Sequence, residues 1–199
     1  MKSDVGQLSK ISEAKQRVKD EIDARRNELS ELSLKIHANP EVGYEEVKAS
    51  AWLTQYLQEN GFSVEQGICE LPTAFRARYG QREPVIAILA EYDALPNLGH
   101  ACGHNLIAGS AVGAGVASKI AVDLFGGSVL VIGTPAEELA GRGGKIIMVD
   151  RGAFDDVDAV MMVHPHVMNV AALKNSALES LKVEFFGKEA HAGALPSAG

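Results

Sequence analysis

Three continuous apolar runs separated by helical stretches constrain the fold of this chain more than any other feature. The runs cover residues 85–90, 129–132 and 159–163. A strand that is apolar along its whole length is typical of a sheet buried on both faces. Helical stretches are predicted between the runs, at about residues 105–124 and 144–150. This alternation predicts an α/β fold with a mostly parallel sheet covered by helices.

Two amphipathic helices and two short strands are predicted before these runs. Apolar residues recur at helical spacing over residues 11–36, among charges of both signs, and predict one helix. This helix ends near Pro40, because proline disfavours the helical conformation of the residue before it. A second helix is predicted from about residue 45 to residue 59. The partly alternating segments 62–65 and 74–79 are predicted to be strands.

The last predicted strand, residues 181–185, alternates strictly and differs from the buried runs. An isolated strand is marginally stable at best, and no predicted partner strand follows it. We therefore expect that the chain is cut within a second domain, or that another chain completes that domain. The expected boundaries are residues 1–175 for the first domain and 176–199 for the beginning of the second.

Charge and cysteine content narrow the classes of function. The chain has 19 Lys and Arg residues against 26 Asp and Glu residues, and its formal charge is -7 at pH 7. This balance disfavours binding to nucleic acid or to an anionic membrane. The chain has two cysteines and a polar start, and its longest weakly polar stretch, residues 106–117, is shorter than a membrane span. We expect a soluble cytoplasmic protein without a nucleic-acid or membrane partner.

Ionisable residues follow each of the three buried runs. Glu91 and Asp93 come after the first run, Glu137 and Glu138 after the second, and His164 after the third. Ligands of open α/β sheets gather beyond the carboxyl ends of the strands, and His164 is expected to face the same crevice as Glu138. Adjacent carboxylates in extended backbone project to opposite sides, so one can bind a metal while the other addresses a water. An ordinary acidic turn is the alternative.

A second group of metal-ligand types precedes the helix predicted at residue 105. Residues 99–105 read Gly-His-Ala-Cys-Gly-His-Asn. Gly103 lets the loop turn so that Cys102 and His104 can face one ion, and Asn105 is a suitable N-cap. Taken alone, this pair is better explained by a buried cysteine beside a loop histidine. A thiol nucleophile at Cys102 is a further alternative, although no Cys-His signature of a thiol hydrolase surrounds it.

The convergence of these groups carries more weight than any single one. Cys102, His104, Glu138 and His164 are ligand types that a borderline-soft ion such as zinc accepts. His100 lies close enough in sequence to support a ligand by contact. Two further histidines, at positions 37 and 166, are weaker candidates.

Five motifs, taken in order, resemble the metallopeptidase family M20. They are Glu91-Tyr92-Asp93-Ala94-Leu95-Pro96, the loop 99–105, Gly133-Thr134-Pro135-Ala136-Glu137-Glu138, His164-Pro165 and Gly187-Lys188-Glu189-Ala190-His191-Ala192-Gly193. The resemblance is closest to the amidohydrolase branch, which includes p-aminobenzoyl-glutamate hydrolase and the M20-domain dipeptidases. It covers nearly the whole chain from about residue 36 onward and corresponds to the N-terminal half of the family.

The resemblance implies a metal-dependent hydrolase with two divalent ions. Such an enzyme cleaves an amide or peptide bond next to an amino acid with a free carboxylate, as a dipeptidase, an N-acyl-amino-acid amidohydrolase or an aminobenzoyl-glutamate hydrolase. By position, Cys102, His104, Glu138 and His164 resemble the metal ligands, and Glu137 resembles the general base. Cys102 favours zinc, while manganese and cobalt are alternatives in this branch.

The resemblance also implies two supporting residues and a partner subunit. Asp93 stands where the family keeps an acid that orients a ligand. His191 resembles the lid-domain histidine that reaches into the active site of a dimer partner and stabilises the oxyanion. Residues 1–175 are then an incomplete metal-binding catalytic domain with a zinc-peptidase-like fold. Residues 176–199 begin a truncated α+β lid that forms a homodimer.

Two departures from the family leave alternatives open. Glu91-Tyr92-Asp93 stands where the wider family has a His-x-Asp ligand motif, although this branch shares the difference. Family members are also longer, and they draw a final histidine ligand, the last strands and most of the lid from sequence that this chain lacks. One alternative is therefore a truncated or split-chain fragment that binds metal or a partner without catalysis. The other is a structural domain whose histidines and cysteines are packed.

Overall fold

A computed structural model describes residues 2–139, 141–171, 177 and 181–198. The described helices are α1 (Lys2–Ala24), α2 (Arg26–His37), α3 (Val47–Glu59), α4 (His104–Phe125) and α5 (Gly144–Asp150). The described strands are β1 (Ser63–Gln66), β2 (Phe75–Gly80), β3 (Val85–Ala90), β4 (Ser128–Gly133) and β5 (Ala159–Met161).

The strands form one mixed sheet in the order β1-β2-β4-β3-β5. Strand β3 pairs in parallel with β4 and with β5, whereas β2 pairs antiparallel with both of its neighbours. Of the described strands, β2 alone therefore runs against the others. The predicted α/β class is confirmed, and the sheet is mixed, with two parallel and two antiparallel pairings among the described strands.

The two central parallel strands form as their apolar sequences predict. Strand β3 spans the predicted residues 85–90, and every residue of β4 is buried. One core cluster lies between the sheet and helices α2, α3 and α4, and a second lies on the side of α5. Helices on both sides explain why these two strands are apolar throughout.

The third run differs from the prediction of a buried strand over residues 159–163. Strand β5 covers three residues, and its side chains are exposed, Val160 by 48% and Met161 by 55%. Within the described residues β5 pairs with β3 alone, so it forms an edge of the sheet. Its apolar side chains consequently lack a covering layer there.

The predicted helix over residues 11–36 is interrupted at Arg25. The interruption is a single residue, because Arg25 N–H still donates to Glu21 O at 3.2 Å and Leu29 N–H to Arg25 O at 3.0 Å. The Arg25 side chain also pairs with Glu21 at 2.6 Å. The amphipathic pattern thus located the helical segment but not its division into α1 and α2.

Helix α4 is the apolar helix at the centre of the fold. Among the described helices, α4 alone is long and apolar enough to cross a bilayer, and 56% of its most apolar stretch is buried inside the structure. The helix packs against β3, β4 and the preceding helices. A helix that is apolar around most of its circumference is also what a protein core requires.

Residues 181–185 do not form the predicted strand. They have no regular secondary structure, and their apolar side chains are exposed, Phe185 by 92% and Val183 by 60%. No strand in the described part of the chain pairs with them, and an unpaired strand is unstable in water. The boundary expected at 175 and 176 lies outside the described residues, so the second domain stays a prediction.

Close packing of α4 on β4 gives a testable consequence for Gly115. A Cβ atom at Gly115 would lie 2.3 Å from Val131 Cγ2, whereas one at Gly109 of the same helix would lie 3.4 Å from Ser33 Cβ. Gly115→Ala is therefore expected to lower the free energy of unfolding by about 1–3 kcal/mol through overpacking. Gly109→Ala should leave it unchanged or raise it by up to ~1 kcal/mol through helix propensity. Urea denaturation measures both, and equal stabilities would contradict the packing argument.

Candidate metal centre

The ends of β3 and β4 place two acidic loops side by side. Ala90 pairs with Gly133 in the parallel ladder, and Thr134 N–H donates to Ala90 O at 2.8 Å. The loop after β3 carries Glu91 and Asp93, and the loop after β4 carries the acidic pair that follows Ala136. The parallel register thus brings both sets of carboxylates to one edge of the sheet.

Helix α4 brings His104 to the same edge. The helix begins at His104, after Gly103 at a φ of 79°. This start corrects the prediction that Asn105 is the N-cap, because Asn105 lies inside the helix and donates its side-chain amide to Ser33 Oγ at 3.0 Å. Burial against α2 therefore holds the asparagine, and the left-handed glycine makes the turn into the helix.

His104 is the centre of the cluster. Its ring is 1% exposed, and Nδ1 lies 2.9 Å from both the carboxylate and the backbone oxygen of Asp93. An ionised carboxylate and a carbonyl only accept, so Nδ1 carries the proton and donates. The other ring nitrogen, Nε2, lies 3.5 Å from Glu91 Oε2, 3.6 Å from Glu137 Oε2 and 3.7 Å from Glu138 Oε1.

The approach of Glu137 and Glu138 to one nitrogen corrects the prediction that they project to opposite sides. That prediction assumed extended backbone, but both residues lie in a turn that follows Ala136 at a φ of 58°. The left-handed residue rotates the chain before the acidic pair. Side-chain alternation consequently does not apply to these two positions.

His164 and Cys102 lie at the margin of this cluster. His164 Nδ1 is 2.8 Å from Pro165 O, and its ring meets that of His104 edge-on, with centroids 6.3 Å apart. Cys102 lies close to Glu138, but its Sγ belongs to neither of the two sets of ligand atoms that approach one another. Ligand atoms of two sets lie within 4.8 Å of one another: Glu91, His104 and His164; His104, Glu137 and Glu138.

The electrostatics of the cluster follow from burial and negative charge. Burial lowers the pKa of His104, but the hydrogen bond to Asp93 and the nearby Glu91 outweigh it, so the pKa is raised. Burial would raise the pKa of Asp93, yet its hydrogen bonds to His104 and to Glu138 N–H lower it. Burial, and then Glu91, raise the pKa of Glu137. The nearby carboxylate of Glu138, followed by burial, raises the pKa of the Cys102 thiol to about 11.

Two buried atoms of the cluster show that it fits a divalent cation. Glu91 Oε2 and His104 Nε2 have no hydrogen-bond partner among the described residues, although both are inaccessible to solvent. Unpaired buried polar atoms are rare and costly. A cation between them would satisfy both, and imidazole, carboxylate and thiolate together are typical zinc ligands.

Sequence reasoning missed Glu91 as a possible ligand and Lys145 as its partner. The Glu91 side chain is 1% exposed, and its Oε1 accepts a short hydrogen bond from Lys145 Nζ. Its place at the end of a buried strand was the signal. Lys145 gave no signal, because it lies 54 residues away in the sequence.

Neither His100 nor His191 belongs to the two sets of ligand atoms that approach one another. His100 is buried and its ring faces that of His37 at 6.2 Å, beside a cavity of about 440 Å³. Burial, followed by the charges of His104 and His37, lowers the pKa of His100. His191 is exposed, and its Nδ1 accepts from Gly193 N–H at 3.2 Å. The predicted role of His191 involves a partner subunit, so it stays a prediction.

Comparisons with known proteins find curated relatives of the chain. No family model matches the chain. The chain is 40% identical over 199 residues to the Xaa-Arg dipeptidase of Mus musculus. This match covers 93% of the chain and 46% of that protein. It is 35% identical to a p-aminobenzoyl-glutamate hydrolase subunit of Escherichia coli (strain K12), over 92% of the chain and 42% of that protein. The chain thus spans less than half the length of these curated relatives.

A solved structure gives the same picture of the fold. The YXEP protein of Bacillus subtilis, described as a dinuclear metal binding peptidase from the M20 family, superposes with a TM-score of 0.61 at 29% identity. The match covers 69% of this chain and 42% of that chain.

The opposite environments of two histidines give a test of the site in the metal-free protein. We expect His104 to titrate above the ordinary value of about 6.5 and His100 below it. The raised pKa means that protonation of His104 stabilises the fold. This contribution is fully present below about pH 6.5 and is lost as the pH rises through the folded-state pKa. Nitrogen-15 NMR of the imidazoles measures both values.

The control for this titration is Asp93→Asn. Removing the carboxylate charge should lower the pKa of His104, because the Asp93 hydrogen bond is the main interaction that favours the protonated ring. A His104 pKa at or below the ordinary value in the wild-type protein would contradict the geometry described here.

Proposed function

Because this chain belongs to the M20 family of metallopeptidases, we propose that it carries most of the metal centre of an amide-cleaving hydrolase. The substrate class is an amide or peptide bond next to an amino acid with a free carboxylate. The observation that supports this proposal is the convergence of three carboxylates on His104 Nε2, within 3.5–3.7 Å. Two relatives are named as a dipeptidase and as an aminobenzoyl-glutamate hydrolase, and both names describe cleavage of substrates in this class.

The ligands in this proposal are Cys102, His104, Glu138 and His164, with Glu91 added from the structure. Two divalent ions are proposed, zinc before manganese or cobalt, because a thiol and imidazoles favour zinc. When bound, such ions supply a Lewis acid that polarises a carbonyl and makes a water acidic near neutral pH.

Glu137 is the proposed general base. Its side chain is 40% exposed, so a substrate and a water can reach it, whereas the other carboxylates of the cluster are more buried. Burial and the charge of Glu91 raise its pKa towards the range in which a carboxylate exchanges protons at neutral pH. Glu137 takes a proton from the attacking water and returns it to the leaving amine. Asp93 holds His104 so that Nε2 keeps its lone pair towards the cluster.

A homodimer is the proposed assembly. His191 is exposed and lies outside the cluster, as a residue that acts in the site of a partner subunit would. Residues 176–199 are proposed as the start of the lid that forms this dimer. The name of the Escherichia coli relative, which calls it a subunit, suits a protein with more than one chain. The proposed compartment is the cytoplasm, where the free thiols of Cys69 and Cys102 remain reduced.

A metal-binding fragment without catalysis is the second candidate. The chain covers 46% of the first relative, and the apolar edge strand β5 is exposed. Both observations suit a chain whose site is completed by further sequence or by another chain.

Metal binding is expected to depend on Cys102 and on His164, which follows β5, but not on the nearby His166. His164→Ala and Cys102→Ala should lower zinc affinity, because each removes a proposed ligand. His166→Ala, two positions away and also exposed, should leave it within about threefold, because loss of a supporting contact costs 10-fold or more. Competition with a chromophoric chelator measures affinity, and elemental analysis measures stoichiometry. A wild-type stoichiometry near zero would leave only the structural reading of these residues.

Hydrolysis is expected to depend on Glu137 independently of metal binding. In Glu137→Gln, kcat for N-acyl amino acids and dipeptides should fall about 10²- to 10⁴-fold, the usual contribution of a general base. Zinc stoichiometry should stay unchanged. Release of free amine measures the rate. A wild-type chain that binds zinc but hydrolyses none of these substrates would support the second candidate instead.

A further inference from the structure

Glu46, a buried carboxylate outside the proposed ligand set, is bonded to the loop that carries the acidic pair. Its residue is 0% exposed and directly precedes α3. Glu46 Oε1 accepts from Ala136 N–H at 2.8 Å, and Oε2 accepts from Thr73 Oγ1 at 2.9 Å. Ninety residues separate Glu46 from Ala136, so this bond is a long-range connection.

The residue held by this bond has an unfavourable backbone conformation. Ala136 has a φ of 58° and is fully buried, immediately before Glu137. A left-handed conformation is uncommon and unfavourable for residues other than glycine, and it persists only where the surrounding structure enforces it. Turning Ala136 back to an ordinary conformation would redirect Glu137 and Glu138. The position of the acidic pair therefore depends on what fixes Ala136.

The segment of residues 41–46 supplies this constraint on two sides. A Cβ atom at Gly43 would lie 2.9 Å from both Cα and Cβ of Ala136, so the segment passes directly against that residue. At the other end of the segment, Glu41 O accepts from Ala94 N–H at 2.8 Å. One segment thus contacts the loops after both β3 and β4.

A role in core packing alone does not account for Glu46. Burying a carboxylate is costly, and an apolar residue of similar size would pack at lower cost. The carboxylate offers two acceptor oxygens, and the structure uses one of them for the strained loop and the other for Thr73. What an apolar residue could not provide is an acceptor for Ala136 N–H.

We propose that Glu46 is a positioning residue of the metal centre. Its bond to Ala136 N–H holds the left-handed turn and thereby aims Glu137 and Glu138 at His104. This inference rests on the proposed function for the identity of the site, but the geometry of the loop stands without it.

The test compares Glu46→Leu with Glu46→Gln in the 199-residue chain. Leucine removes the acceptor, so amide hydrogen exchange of the peptide spanning residues 134–143 should become faster, and zinc affinity should fall 10-fold or more. Glutamine keeps a carbonyl oxygen that can accept from Ala136 N–H, and its amide can donate to Thr73. In Glu46→Gln, the exchange rate and the zinc affinity should therefore stay within about threefold of wild type, below the 10-fold loss expected when a supporting contact is removed. The absorption spectrum of the cobalt-loaded protein should change in Glu46→Leu and be restored in Glu46→Gln.

Leu57→Ala is the matched control for lost stability. Leu57 is fully buried in the same helix, α3, and eleven residues from Glu46 correspond to roughly 16 Å along a helix axis. This variant should be destabilised yet bind zinc within about threefold of wild type, less than the 10-fold loss expected for a lost supporting contact. Equal losses of affinity in Leu57→Ala and Glu46→Leu would overturn the inference.

The outcomes separate this inference from the proposed function. Absence of zinc binding in the wild-type chain rejects the proposed function, whereas unchanged exchange over residues 134–143 in Glu46→Leu rejects the positioning role. If Glu46→Leu does not fold, Glu46→Asp replaces it, because the shorter side chain keeps the charge but cannot reach Ala136 and Thr73 together. A folded Glu46→Asp with wild-type exchange and affinity would also overturn the inference.

Discussion

The parallel pairing of β3 with β4 is the constraint on which the site depends. It sets Ala90 beside Gly133, so the two strands end at the same level and their loops leave the sheet side by side. Everything acidic in the cluster comes from the loops that begin there. Asp93 then joins the two loops and the helix, because its carboxylate accepts from both His104 Nδ1 and Glu138 N–H, each at 2.9 Å. A shift of register between these strands would separate all of these groups at once.

Burial decides the chemistry of that cluster. Glu91 and His104 are each 1% exposed and face one another at 3.5 Å, which is costly unless a proton or a cation lies between them. Lys145 neutralises one side of Glu91, and Asp93 fixes the proton of His104 on the far nitrogen. The remaining atoms, Oε2 and Nε2, are therefore arranged to receive a positive charge. In the proposed function, a divalent cation would supply that charge.

The exposed apolar segments of the fold are those that lack a strand on one or both sides. Strands β3 and β4 have neighbours on both sides, and their apolar sequences are buried. Strand β5 has one neighbour within the described residues, and residues 181–185 have none, so similar apolar side chains lie in solvent. An apolar pattern in the sequence predicts that a segment needs burial, and the structure shows whether the other described residues bury it.

The sequence by itself determined the α/β class, the order of the helices and strands from α3 to β5 and the strand ends at which the ionisable residues lie, because periodicity and apolar runs are local properties. It also placed His104, Glu138 and His164 among the candidate ligands. Only the tertiary structure decided that Glu137 and Glu138 approach the same nitrogen, that Asn105 lies inside its helix, and that Glu91 and Glu46 belong to the site. Each of these depends on a contact across many residues, such as the bond from Ala136 to Glu46, and distant contacts leave no periodic signal in the chain.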